Sequence, residues 1–436
     1  MKLLKHNLDY IFLILIYFFL IKLNIDLFVF KSSSIGNFFI DFFKKFNFFS
    51  FVEIIIISVP FFFIKNKSFN FGYLFSVMFY LFLFIPFICL FFDPSSNLIK
   101  IFFSHINFNS HYISIETKVF YFFILIFTIN ISILFFFLTT KVSPIKKTLN
   151  FDKDLIEKIL LMNFIVFFCL LLFFILKDLN QLHLVNYRPK LKGLLGYYFY
   201  WNIICLLPIF FLIQRNKLFN YIVILSYIFS FILLKIKILL CFIIFLILKD
   251  LIYNRIINSK DLLKIFLIIL ISVLITIFLI NFSLWYFFKI HDPSHFQRIF
   301  VSQPKNLLMY LDFFSNNRNT MMTHIGIIGK LTQNNDNIFD LIANVYRGGS
   351  PTSNVYAVEG IAAFGVWGIF FSTFLIILLA KILSLFVCKN TEKYLYLTLV
   401  FQAIYMVNTP FFTNLFTYGI GITLIFSLIG LKKKIN

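Results

Sequence analysis

Apolar runs of roughly twenty residues alternate with short polar connectors along most of this chain. The runs fall at about 10–29, 48–64, 72–92, 119–139, 159–176, 194–213, 219–234, 238–251, 265–288, 361–386, 394–410 and 413–430. About 20 apolar residues suffice for a helix to cross the hydrocarbon core of a bilayer. The pattern predicts an all-α, polytopic integral membrane protein with about 12 transmembrane helices, forming one membrane domain over residues 1–436. A membrane β-barrel would instead alternate apolar and polar positions with period two. Only Lys235-Ile236-Lys237 divides one pair of spans, and Asn408-Thr409-Pro410 divides the last pair.

One connector differs from the rest. Residues 289–360 form the longest polar stretch, flanked by apolar runs, and are expected to be a long loop on the outer face. A loop of that length does not stay structureless in a compact fold. From Gln303 onward, Leu307, Leu308, Leu311 and Phe314 recur at helical spacing, which predicts a surface helix. Gly348-Gly349-Ser350-Pro351-Thr352-Ser353-Asn354 reads as a turn. The segment from Val355 to Gly368 reads as helix, with Gly360, Gly365 and Gly368 as positions of close packing.

Composition agrees with the membrane reading. Hydrophobic residues make up 61% of the chain and charged residues 13%, where a soluble domain carries about 25% charged residues. The 69 phenylalanines are mostly lipid-facing filler, since a bilayer accepts Phe wherever it accepts Leu. The net charge of +21 sits in connectors. No soluble basic domain exists to hold a duplex, so nucleic acid is not an expected partner. The charge suits anionic lipid or an anionic substrate. Five cysteines lie in or beside apolar runs without metal or disulfide spacing. Lys2 and Lys5 precede an apolar run that lacks an A-x-A-like cleavage site, so it reads as a retained first span.

Short connectors near 65–67, 141–158, 214–217, 249–264 and 389–393 are basic, as is Lys432-Lys433-Lys434. The positive-inside rule places them, with both termini, in the cytoplasm. Parity then puts Arg188, Lys235, Lys237, Arg298 and Arg347 on the opposite, outer face. No internal repeat is visible, which argues against transporter folds built from two similar halves.

Three segments carry the candidate chemistry. They are Asn186-Tyr187-Arg188-Pro189; Gln297-Arg298-Ile299-Phe300 with Pro304 and then Tyr310-Leu311-Asp312-Phe313-Phe314-Ser315-Asn316-Asn317; and the Gly348–Asn354 turn followed by Glu359 and Phe364-Gly365-Val366-Trp367-Gly368. Over about residues 185–370 the chain resembles the Wzy-type polymerases of O-antigen and capsular repeat units. Members of that family often carry two adjacent arginines where this chain has Gln297-Arg298.

The resemblance implies a GT-C-like membrane glycosyltransferase of the bacterial inner membrane. Its substrate would be an undecaprenyl-pyrophosphate-linked oligosaccharide, and a polysaccharide chain-length regulator is a possible partner. It implies catalytic roles for Arg298, Arg188, Glu359 and His324, and substrate binding by Lys235, Lys237, Arg347, Tyr310 and Asn354. The residue types suit the chemistry. Guanidiniums stabilise charge developing on a departing pyrophosphate, and His324, His295, Glu359 or Asp312 could take the acceptor proton. No cofactor or metal is expected, since the histidines lack metal-ligand spacing.

Each residue also has a plainer reading. Arg188 beside Tyr187 fits an interfacial anchor, Lys235 and Lys237 fit snorkelling side chains, and Glu359 fits a charge at a helix N-terminus. Tyr310, Phe313 and Phe314 fit the apolar side of the loop helix. Rival functions are an O-antigen ligase, a lipid-linked oligosaccharide flippase and an ion-coupled transporter. A flippase or transporter would line its path with charges inside the spans, and these runs hold few beyond Lys22, Glu53 and Lys381.

Overall fold

The computed structural model describes residues 12–24, 71–86, 149–151, 153–178, 194–214, 216–234, 238–252, 262–288, 302–325, 338–346, 356–386, 389–429 and 431–433. These residues are helical apart from one short antiparallel ribbon, in which Leu149–Phe151 pairs with Leu431–Lys433. Four helices are long and apolar enough to cross a membrane: Asp154–Lys177, Leu194–Ile213, Lys217–Leu234 and Leu267–Leu284. Shorter apolar helices cover Phe12–Asn24, Trp367–Leu383 and Tyr394–Asn408. The expected runs at 48–64 and 119–139 lie outside the described residues.

The Lys389–Asn408 helix is the centre of the bundle. Every residue from Leu395 to Val407 is buried, as expected of a helix enclosed on all sides. It packs against Phe71–Phe79 and Leu207–Ile213, and Phe401 stacks on Phe242 with ring centroids 3.7 Å apart. The polar residues it encloses are bonded: Thr398 donates to the Cys205 carbonyl at 3.2 Å, and Gln402 donates to Thr423 at 2.6 Å.

Two surrounding helices contain π turns, Tyr80–Phe84 and Asn202–Leu206. A π turn interrupts the regular ladder and frees carbonyls for outside donors. Side chains from other helices meet that need. Tyr17 donates to Leu81 at 2.7 Å, Tyr227 to Ile203 and Thr398 to Cys205.

Two expected spans differ in detail. The run 361–386 does not form one helix with the segment before it. A Val358–Phe364 helix ends at Gly365, whose φ of 59° suits a residue without a side chain, and a second helix runs Trp367–Phe386. The run 413–430 divides into Phe411–Phe416 and Ile420–Ile429. The break comes at Gly419, with φ of 78°. A Cβ there would sit 2.5 Å from Cys205 Sγ, so glycine lets this corner approach the π turn.

Candidate functional site

Polar side chains gather where four elements meet: the start of Ser302–Asn316, the start of Val358–Phe364, the end of Lys389–Asn408 and the start of Phe411–Phe416. Proline at 410 closes off the helix before it, because it has no N–H to donate. The freed groups at this corner are bonded locally. Thr409 Oγ1 donates to the Tyr405 carbonyl at 2.7 Å. Asn414 Nδ2 donates to the Thr409 and Pro410 carbonyls at 2.8 and 3.0 Å.

Glu359 is the charge at this corner. Its side chain is 7% exposed. Oε2 accepts the Phe412 backbone N–H at 2.7 Å and Oε1 accepts the Thr413 hydroxyl at 3.2 Å. The carboxylate therefore caps a helix that begins 52 positions later in the chain (411 minus 359). Burial raises its pKa to about 7 from 4.5, and these hydrogen bonds hold it from rising further. Such a group holds or releases a proton near neutral pH. Thr413 itself is half-buried.

The Ser302–Asn316 helix begins at this corner. It was expected on the surface; instead it buries Gln303, Asn306, Leu307, Met309, Tyr310, Asp312 and Phe314. It packs on Val358–Phe364, on Ile338–Tyr346 and on the Tyr80–Phe84 turn. Gln303 donates to the Asn408 side chain, tying the loop helix to the end of the central one. The leucine spacing shows that a helix forms; that amides are also enclosed depends on Asn408, more than a hundred residues away.

Tyr310 is fully buried and its ring lies 6.3 Å from that of Phe314. It packs within the apolar core of the described residues. His324 sits in the turn after the loop helix, partly buried. Thr320 donates through both N and Oγ1 to the Ala362 carbonyl at 2.8 and 3.0 Å, and Thr320 Oγ1 lies 2.5 Å from His324 Nδ1. Which of the two donates in that contact follows the tautomer of the ring. Thr320 and His324 thus dock on the last turn of the helix that carries Glu359 near its start.

Arg298, Arg188, Lys235, Lys237, Arg347 and Asn354 lie outside the described residues. Among the described residues no three His, Cys, Asp or Glu side chains come together as metal ligands would. The chain matches no protein-family model, no curated protein and no solved structure. The polar corner is thus the firmest candidate site, and the residues missed in the sequence are Thr413, Asn408 and Thr320. Asn408 and Thr413 flank Pro410, and polar residues around a proline between two apolar runs are the signal that could have found them.

Proposed function

We propose that this chain is a membrane glycosyltransferase that joins undecaprenyl-pyrophosphate-linked oligosaccharide repeat units into O-antigen or capsular polysaccharide. It would act on the outer face of the bacterial inner membrane, with both termini in the cytoplasm. The observation that carries the reading is the run from Arg298 through Pro304 and Tyr310 to Asn317, which is similar to that of repeat-unit polymerases. Its helical part, Ser302–Asn316, packs against the helix that bears Glu359, which supports one functional region made from the second and third segments.

In the proposed step a sugar hydroxyl of one lipid-linked unit attacks the anomeric carbon of another. The new glycosidic bond forms as the bond from that carbon to the pyrophosphate oxygen breaks. The hydroxyl proton passes to a base, for which Glu359 and His324 are the candidates, and lipid pyrophosphate leaves. Arg298 and Arg188 stabilise the charge on the leaving pyrophosphate, with Lys235, Lys237, Arg347 and Asn354 binding substrate.

The test is surface glycan length on gels, comparing a deletion strain complemented with wild type or with Arg298→Ala, membrane expression being equal. Collapse of the ladder to a single repeat unit in both the deletion and the variant supports the reading. An intact ladder in the deletion strain rejects it. Loss of even the single capped unit points to a ligase or a flippase.

A further inference from the structure

A second surface lies at the other side of the Gly365 corner. Down the Trp367–Phe386 helix, Trp367, Phe370, Phe374 and Leu378 are exposed at spacings of three and four residues, which makes one apolar stripe on one face. A stripe of that kind on an apolar helix faces lipid. Trp367 is its upper end, 76% exposed, and tryptophan favours the membrane boundary.

The turn after the loop helix is fixed beside that end. Thr320 holds the Ala362 carbonyl with two hydrogen bonds, and a Cβ on Gly365 would lie 3.6 Å from the Asn319 amide. The turn is braced internally too, with Thr323 N–H and Oγ1 both on the Thr320 carbonyl and Ile325 N–H on that of Met322. Within it Met321 and Met322 have φ of 47° and 72°. Two successive non-glycine residues in the left-handed region are strained and must be held there by the surrounding structure. The conformation turns Met321 outward, 66% exposed. Val366 is exposed beside Trp367. Arg318, three residues before Met321, is exposed.

We propose that this turn and corner form a seat for an anionic phospholipid at the membrane boundary. Arg318 takes the phosphate, whose oxygens suit the guanidinium fork, while Met321, Val366 and Trp367 rest against the glycerol and upper acyl region. The occupant is a lipid because the seat continues directly into the apolar stripe below it, and an anionic one because its polar residue is a cation. The inference rests on the Trp367–Phe386 helix crossing the bilayer and is independent of the glycosyltransferase reading.

The test uses the purified full chain in phosphatidylcholine nanodiscs containing phosphatidylglycerol. A fluorophore is placed at Met321→Cys, and separately at Phe374→Cys, in a background with Cys89, Cys169, Cys241 and Cys388 replaced by serine and the buried Cys205 retained. Quenching at Met321→Cys by a headgroup-level nitroxide lipid is expected, and quenching only by aqueous iodide overturns the seat. Quenching at Phe374→Cys by iodide alone removes its membrane premise and overturns it as well. Native mass spectrometry then counts retained lipid. Arg318→Gln is expected to retain several-fold less phosphatidylglycerol with phosphatidylcholine unchanged; equal retention of phosphatidylglycerol overturns the role of Arg318. Because Arg318 is exposed, the variant keeps its fold, which its size-exclusion profile checks.

Discussion

The backbone N–H of Phe412 donates to Glu359 Oε2 at 2.7 Å, although the two residues stand 53 positions apart. This bond joins the Val358–Phe364 helix to the start of the Phe411–Phe416 helix. Glu359→Ala leaves that part-buried N–H without its acceptor, a loss on the order of 1 kcal/mol. Glu359→Gln keeps one acceptor oxygen and is expected to lose less. Thermal unfolding of the detergent-purified variants measures both, and equal stability of Glu359→Ala and wild type would contradict the capping role.

The same carboxyl predicts a pH signature. Its folded pKa is raised to about 7 from 4.5. The folded state therefore binds the proton more tightly than the unfolded state. That contribution is complete below about 4.5 and is lost as pH rises through about 7. Wild type should accordingly lose stability relative to Glu359→Gln across this window, and the difference should level off above it. Tm of both proteins, followed in parallel over that pH range, shows the change; a constant difference would rule out the shifted carboxyl.

Gly360 and Gly368 bring two helix backbones into direct contact. A Cβ on either would overlap the carbonyl oxygen of the other. Neither obstacle is a side chain that can swing aside, so Gly360→Ala and Gly368→Ala are expected to abolish monodisperse protein. Gly365→Ala has ordinary space around it but adopts φ of 59°, and should cost about 1–3 kcal/mol. Fluorescence-detected size exclusion of membrane extracts ranks the three, and a Gly365→Ala defect worse than the other two would contradict the packing.

Much of this arrangement was legible in the sequence, and the exceptions share a cause. Apolar length exposed several of the helices, and Gly360 and Gly368 marked close packing, whereas Gly365, expected to do the same, has ordinary space around it and marks a helix break. Leucine spacing marked the loop helix. What remained hidden depends on partners distant in the chain. Nothing local to Gln303 or Glu359 says that Asn408 and Phe412 await them, and nothing local to Gly419 says that Cys205 fills the space its side chain would need. Tyr310 shows the same limit: an aromatic in a polar loop suits a sugar platform and a core position equally until its neighbours are known, and here they include Phe314.

Tyr310→Ala should therefore act on stability. Emptying this fully buried site is expected to cost about 3–5 kcal/mol, with Tyr310→Phe much closer to wild type. If Tyr310→Ala kept the wild-type Tm and lost only activity, the ring would belong to a substrate site and the packing role would be wrong.

Cys205 and Gly419 offer a double-mutant cycle. Gly419→Ala meets the Cys205 sulfur at 2.5 Å and Trp201 Cδ1 at 3.3 Å. Replacing Cys205 by glycine removes the first obstacle, so Gly419→Ala should cost less in a Cys205→Gly background. Part of the loss remains because the φ of 78° is unchanged. Additive effects on Tm would show that the two residues do not share this space.

The most direct measurement is polymerisation by the purified chain. Lipid-linked repeat units extracted from the deletion strain would be incubated with the protein in nanodiscs, and product length read by mass spectrometry. The account predicts lipid-linked products of two and more repeat units, release of undecaprenyl pyrophosphate in step with each bond formed, and neither with Arg298→Ala. Wild-type protein that leaves the single unit unchanged, while a known repeat-unit polymerase extends the same preparation, would contradict it.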